Sequence, residues 1–197
     1  MIDDEISKYI ELIDTLLIGL SDAGAVAFGL SCFSRQRLVL DGLAGNKSEY
    51  QWLTRIKHTE DEWWKWCESG TLPITLIGKE ARVQSAIVLE KLTINFNRVM
   101  HTGLTACDVL FSGLEEGQYR CVKYTTSMNI DMINQIKEEL TIKEYEHLVL
   151  REISRQKSEV SVLKNGFFPE TRKQLVDFVP DQLLLGDISW TNELWQR

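Results

Sequence analysis

Proline is scarce in this chain. Only three of the 197 residues are proline, and two of these lie beyond residue 168. Proline ends or kinks helices because it lacks a backbone N–H and its ring clashes with the preceding turn. Its near absence from the first four-fifths of the chain therefore favours long helices.

Motifs of the common catalytic and nucleotide-binding sites are also missing. The chain has no G-x-x-x-x-G-K-S/T, G-x-G-x-x-G, G-x-S-x-G or H-E-x-x-H pattern. No C-x-x-C pair and no histidine at zinc spacing accompanies the cysteines, which are Cys32, Cys67, Cys107 and Cys121. We therefore expect no recognisable catalytic residue, no metal and no cofactor, and we favour a non-enzymatic role. The thiols are expected to be reduced, buried hydrophobes.

An excess of basic residues is absent as well. The net charge is −7, whereas a protein that grips phosphate backbones needs clustered Lys and Arg, so nucleic acid is not an expected partner. Three of the first five residues are acidic where a secretory signal would be basic, which favours the cytoplasm. The apolar stretch from Leu16 to Phe33 contains Asp22 at its middle, which predicts a turn between two helices and no membrane span.

What the chain does have is a set of helix-start signals. In a capping box, a Ser or Thr side chain accepts from the backbone N–H three residues later, while a Glu or Gln at that later position reaches back. Three segments fit: Ser48-Glu-Tyr-Gln51, Thr59-Glu-Asp-Glu62 and Thr141-Ile-Lys-Glu144. Each predicts a helix N-terminus.

Hydrophobic periodicity predicts further helices and, with the capping signals, an all-α fold. No composition change divides the chain, so we expect one domain over residues 1–197, a bundle of about seven to eight helices. The predicted segments are 3–19; Ser21 or Asp22 to Gly45; two short helices or one kinked helix from 48 to 69; 79–101; one or two helices within 104–138, interrupted near 113–117; 141–165; and one starting at Pro169.

The C-terminal segment 181–197 is too hydrophobic for a free end, since it carries several Leu and Trp residues. We expect it to pack on the body of the bundle or on a partner. The second alternative leaves a homo-oligomer open.

The densest local feature is the acidic, tryptophan-rich segment Thr59 to Cys67. Trp63 and Trp66 share one helical face, whereas Trp64 projects about 100° away from Trp63. Either this helix is buried on two sides, or Trp64 is exposed beside carboxylates as a binding anchor. If the protein binds a partner, the residues expected to contact it are Glu60, Asp61, Glu62 and Trp64.

The order of these segments carries a family resemblance. An amphipathic first helix is followed by a small-residue helix ending in Ser34-Arg-Gln-Arg-Leu38, a Trp-rich helix, a helix with Ala106-Cys-Asp108 and a long capped helix. Over about residues 5–165 this pattern resembles a bacterial all-helical family of unknown function. Some of its relatives are grouped with immunity proteins of polymorphic toxin systems. The resemblance implies a cytoplasmic antidote that binds and neutralises a toxin, and it transfers no catalytic residue.

Acidity suits such an antidote, because a toxin that attacks nucleic acid is usually basic. The alternative is a helical ligand-binding regulator, or an enzyme, with a pocket between its helices. Convergent residues such as His147 and Arg151 in a deep pocket would favour this alternative. Glu144-Tyr-Glu-His147 has the spacing of half a di-iron site, but a second such turn is missing.

Overall fold

The computed structural model describes residues 2–44, 52–70, 98–166 and 169–177. This part of the chain contains seven α-helices, two short 3₁₀ turns and no β-strand, which confirms the all-α class. The helices are α1 (Ile2–Ile18), α2 (Asp22–Ala44), α3 (Trp52–Ser69), α4 (Arg98–Glu115), α5 (Val122–Gln135), α6 (Ile142–Leu163) and α7 (Pro169–Asp177).

The junction of α1 and α2 interrupts the long apolar stretch, as predicted. Helix α1 ends at Ile18, and the Ser21 hydroxyl accepts from the backbone N–H of Gly24 at 3.1 Å, so Ser21 caps α2. The stretch is therefore divided between two helices. Among the described residues, no helix has the length and apolar content needed to cross a membrane.

Helix α2 is the centre of the fold. It packs against α3, α4, α5, α6 and α7, which explains why its first half is small and apolar on every side. At Gly29 an added Cβ would lie 2.5 Å from Cγ1 of Val122, so glycine allows α2 and α5 to approach closely. Phe33 of α2 and Phe111 of α4 pack edge to face, with their ring centres 5.4 Å apart.

The capping box at Thr141 is confirmed. Its hydroxyl accepts from the backbone N–H of Glu144, and the Glu144 carboxylate accepts from the backbone N–H of Thr141 at 2.8 Å. Helix α6 runs from there to Leu163, and Gly166 follows with a positive φ of 103°, which glycine adopts without strain.

The predicted helix start at Thr59 is wrong. Helix α3 runs without interruption from Trp52 to Ser69, and the Thr59 hydroxyl donates to the carbonyl of Arg55 at 3.0 Å. Glu62 pairs with Lys65 at 2.6 Å. No helix-breaking residue precedes Thr59, so the preceding turn stays helical and a box pattern within it has no free N–H groups to cap. The box at Ser48 lies outside the described residues.

The later boundaries agree with the sequence. The predicted interruption near 113–117 separates α4 from α5, with Gly117 at φ 71°, and Pro169 opens α7. Of the predicted helix over 79–101, only the part from Arg98 onward lies in the described residues, and it forms the start of α4. The segments 71–97 and 181–197 lie outside the described residues, and with them the predictions made for most of that helix and for the C-terminal segment.

Candidate ligand site: a cleft over a buried ionic cluster

Helix α6 carries polar side chains on its buried face. They are spaced i, i+3, i+4 and i+7, the spacing that places residues on one side of a helix, and all are buried. These residues are Glu152, Arg155, Gln156 and Glu159. Periodicity indicated the apolar members of the same face, such as Val149 and Val160, but missed these four. Their position between the apolar residues of this face was the signal in the sequence that could have identified them as buried.

Arg35 of α2 is the partner of the two carboxylates. It is only 2% exposed, and its Nη2 donates to Oε1 of Glu152 at 2.8 Å. Its Nη1 donates to Oε1 of Glu159, also at 2.8 Å. Buried charges are costly unless they are paired and hydrogen-bonded, so this arrangement makes Arg35 tolerable in the core.

Arg155 completes the charge balance. Its Nε donates to Oε1 of Glu159 at 2.8 Å, and its Nη2 donates to the backbone carbonyl of Leu175 in α7 at 3.0 Å. We call Arg35, Glu152, Arg155 and Glu159 the buried ionic cluster. With two cations and two anions, it is electrically neutral.

Neutral side chains surround the cluster and connect it to further helices. Oε1 of Glu152 also accepts from Asn129 and Gln156, each at 2.6 Å. Oε1 of Gln156 in turn accepts from the hydroxyl of Tyr9 in α1. The network therefore joins α1, α2, α5 and α6 through hydrogen bonds between side chains.

Within the cluster, Arg35 and Glu152 each favour the charged form of the other. Burial alone would raise the pKa of Glu152, but Arg35 holds the pKa of this carboxyl below its ordinary value of 4.5. Burial alone would lower the pKa of Arg35, yet Glu152 and Glu159 raise it well above its ordinary value. Both directions describe the same attraction between opposite charges.

The cluster nevertheless leaves some hydrogen-bonding capacity unused. Nε of Arg35, Oε2 of Glu152 and Nη1 of Arg155 are buried and have no hydrogen-bond partner in the described part of the protein. A buried polar group without a partner costs about 1–3 kcal/mol. Arg155 has particular importance because it also lines a cleft.

The cleft lies between α2, α3, α6 and α7 and has a volume of about 300 Å³, at the lower end of the range for small-molecule sites. Both polar and apolar side chains form its walls. The described residues that line it are Ser31, Ser34, Arg35, Arg37, Leu38, Lys57, Glu60, Asp61, Trp64, Arg155, Arg172 and Leu175.

Ion pairs hold the walls of the cleft together. Glu60 of α3 accepts from Nε of Arg37 at 2.7 Å and from the hydroxyl of Ser34, both of α2. Asp61 accepts from Nη2 of Arg172 in α7 at 2.8 Å. The Arg172 guanidinium also lies 5.4 Å from the centre of the Trp64 ring, within cation–π range.

The four residues predicted to contact a partner are therefore placed as follows. Trp64 is 1% exposed, which agrees with the alternative of a helix buried on two sides, and Glu60 is 5% exposed. The structure brings Glu60, Asp61 and Trp64 together on the cleft wall, whereas Glu62 is not among the lining residues. Binding of a partner protein by these four residues stays a prediction.

The residues proposed as markers of an enzymatic or ligand pocket are not brought into the cleft. His147 is exposed, and its Nε2 lies 3.4 Å from Nη1 of Arg151 one helical turn away. Neither residue lines the cleft. Within the described ranges, no group of three or more His, Cys, Asp or Glu side chains is placed to hold a metal ion.

None of the four cysteines, all of which lie in the described residues, forms a disulfide, and three of them are buried. Burial raises the pKa of Cys121 to about 11 and raises the pKa values of Cys32 and Cys67 further above the ordinary range. A thiol needs a lowered pKa to act as a nucleophile at neutral pH. The environments of these three thiols therefore oppose cysteine catalysis.

The fold and site define an all-helical bundle with a cleft over a buried ionic cluster. No protein-family model, curated protein or solved structure matches the chain. The resemblance to a family grouped with immunity proteins stays a prediction.

Proposed function

We propose that this protein binds a small molecule in the cleft between α2, α3, α6 and α7. The observation that carries the proposal is the composition of the lining: the half-buried Leu38 and the nearly fully buried Trp64 and Leu175 lie beside charged groups held in fixed geometry. Ligand sites combine apolar surface with well-placed polar groups, and here the polar and charged residues are the majority, nine of the twelve in the lining.

A binding role is better supported than a catalytic one. Glu60 accepts from both Ser34 and Arg37, so the carboxylate nearest to a lining hydroxyl already has both of its oxygens engaged. Glu159 receives three donors on one oxygen, from Ser31, Arg35 and Arg155. Carboxylates held in this way are poorly suited to act as a general base, which needs a freer oxygen.

Ligand binding here also offers a way to regulate the fold. The cleft is formed by four helices, and α7 is attached through Arg172 to Asp61 and through Arg155 to the Leu175 carbonyl. A ligand that contacts all four helices stabilises the closed bundle, by about 2.7 kcal/mol at a concentration one hundred times its Kd. The protein would then respond to ligand concentration through the position of α7.

The antidote hypothesis has less support from the site. Two of its four expected contact residues, Glu60 and Trp64, are buried, and Asp61 is engaged by Arg172. A pull-down at low and high salt tests it. Co-elution of a stoichiometric basic protein that is lost at high salt would favour the antidote over the ligand-binding role.

Blocking the cleft tests the proposed function. Leu38→Trp places a large side chain at the lining, and Leu150→Trp makes the same change at an exposed position of α6 outside the lining residues. We expect members of a small-molecule library to raise the Tm of the wild type and of Leu150→Trp, but not of Leu38→Trp. Equal responses of all three proteins would place binding elsewhere and contradict the proposal.

A further inference from the structure

We infer that the ligand carries an oxyanion, a carboxylate or a phosphate group, and that the Arg155 guanidinium receives it. This inference rests on the proposed function, because it names the chemical class of the ligand in the same cleft. It follows from the hydrogen-bonding capacity that remains in the lining after all internal bonds are made.

Arg155 provides the first observation. The side chain is 8% exposed, and two of its three nitrogens are engaged, Nε by Glu159 and Nη2 by the Leu175 carbonyl. Its Nη1 is buried and has no partner among the described residues. A guanidinium has donors only, so the group that satisfies Nη1 has to be an acceptor. An ionised oxygen is the strongest acceptor available.

Two further cations of the lining have unused donors. Lys57 is exposed and forms no ion pair within the described parts of the chain. Arg37 uses Nε for Glu60 and Nη1 for Asp41, which leaves its Nη2 without a bond to a described residue. Arg155, Arg37 and Lys57 all line the cleft, so three cationic side chains with unused donors border the same space.

The two carboxylates of the lining already have cationic partners. Both oxygens of Glu60 are bonded, and Asp61 is paired with Arg172. Outside the electrically neutral ionic cluster, three cationic side chains and two carboxylates line the cleft. The carboxylates of the buried ionic cluster oppose a ligand anion, yet Arg35 and Arg155 balance them. The unused donors of the lining therefore favour an anionic ligand.

The remaining lining surface indicates what accompanies the anionic group. Trp64, Leu38 and Leu175 offer an aromatic ring and two aliphatic side chains. A ligand with a small apolar or aromatic body and a single anionic group fits both parts of the cleft. Benzoate has these features, and benzamide has nearly the same shape without the charge.

The experiment titrates the full chain with benzoate, benzamide and inorganic phosphate. Binding is followed through the indole N–H resonance of Trp64, which is assigned by Trp64→Phe. The indole of Trp66, which packs on Trp63 and Tyr119 outside the lining residues, serves as an internal reference. We expect benzoate or phosphate to shift the Trp64 resonance and benzamide to bind much more weakly. The better of the two anions identifies the preferred group.

Charge variants test which side chains receive the anion. Arg155→Gln should raise the Kd of the preferred anion about tenfold or more, because a hydrogen bond to a charged group is lost. Lys57→Gln should raise it about two- to fivefold through an exposed charge, without a cost to folding. Lys123→Gln removes one positive charge near Asp14, away from the cleft, and should leave the Kd unchanged.

The outcomes separate this inference from the proposed function. If benzamide bound as tightly as benzoate and shifted the Trp64 resonance, the ligand site would stand and the preference for an anion would be overturned. Equal Kd values for Lys57→Gln and Lys123→Gln would also overturn it, even if Arg155→Gln failed to fold. If no probe shifted the Trp64 resonance, the inference of an anionic ligand would be contradicted. If the wild type also failed to respond to the library in the cleft-blocking experiment, the proposed ligand site itself would be contradicted.

Discussion

Replacement of Arg35 by methionine is the sharpest test of the buried ionic cluster. Methionine has a similar length and no charge, so Arg35→Met leaves Glu152 and Glu159 without their shared cation. Removing one partner of a buried ion pair typically costs about 3–5 kcal/mol. We expect a loss in this range and not twice as much, because Glu159 keeps Arg155 as a partner and Glu152 keeps two amide donors.

A loss of this size is readily measured. For a chain of this length, 1 kcal/mol changes Tm by about 2–4 °C, so Arg35→Met should lower Tm by roughly 6–20 °C. The assay is urea unfolding followed by circular dichroism, with Lys123→Met as the control. Lys123 forms a partly exposed pair with Asp14, and its removal should cost less than about 1 kcal/mol.

A double variant separates lost charge balance from lost packing. Arg35→Met combined with Glu152→Gln removes one cation and one anion and leaves Arg155 paired with Glu159. The new amide oxygen can still accept from Asn129 and Gln156. We expect the double variant to be about 2 kcal/mol more stable than Arg35→Met alone. Two results would refute the ionic account. In the first, the double variant loses as much free energy of unfolding as the two single variants together. In the second, Arg35→Met loses no more than Lys123→Met.

Three other perturbations have expected outcomes. Glu152 contributes stability that is present above its unfolded pKa near 4.5 and is lost as pH falls through its lower folded pKa, so Glu152→Gln should flatten the acid side of a pH–stability curve. Thr141→Ala removes a confirmed helix cap and should cost about 0.5–2 kcal/mol in urea unfolding. Gly29→Ala should destabilise by about 1–3 kcal/mol, because its Cβ meets Val122 at 2.5 Å, and a Tm at or above that of the wild type would contradict this contact.

Much of the fold could be predicted from sequence because its signals are local. The Ser21 cap, the Thr141 box and Pro169 each act within one helical turn, and each marks a helix start in the structure. Thr59 shows the limit of such signals. Its box pattern is present, but nothing before it stops the helix, so the preceding turn takes up the N–H groups that a cap would bind.

The site was harder to predict from sequence, because its hydrogen bonds join residues that are far apart in the chain. Arg35 and Glu152 are separated by 117 positions, and periodicity within α2 or α6 contains no information about that pairing. The polar members of the buried stripe of α6 were visible as exceptions to its apolar pattern. From the sequence, Glu60 and Asp61 are expected to contact a partner protein, whereas in the structure they pair with Arg37 and Arg172.

The most direct test of the ligand site is the mass of the intact protein purified from its native host without denaturation. Native mass spectrometry should show the 22.7 kDa chain together with a second species, heavier by one small molecule. Leu38→Trp prepared in the same way should lack the heavier species, and Leu150→Trp should retain it. A wild-type protein that carries no small molecule and gains none when the host extract is added back would contradict the account.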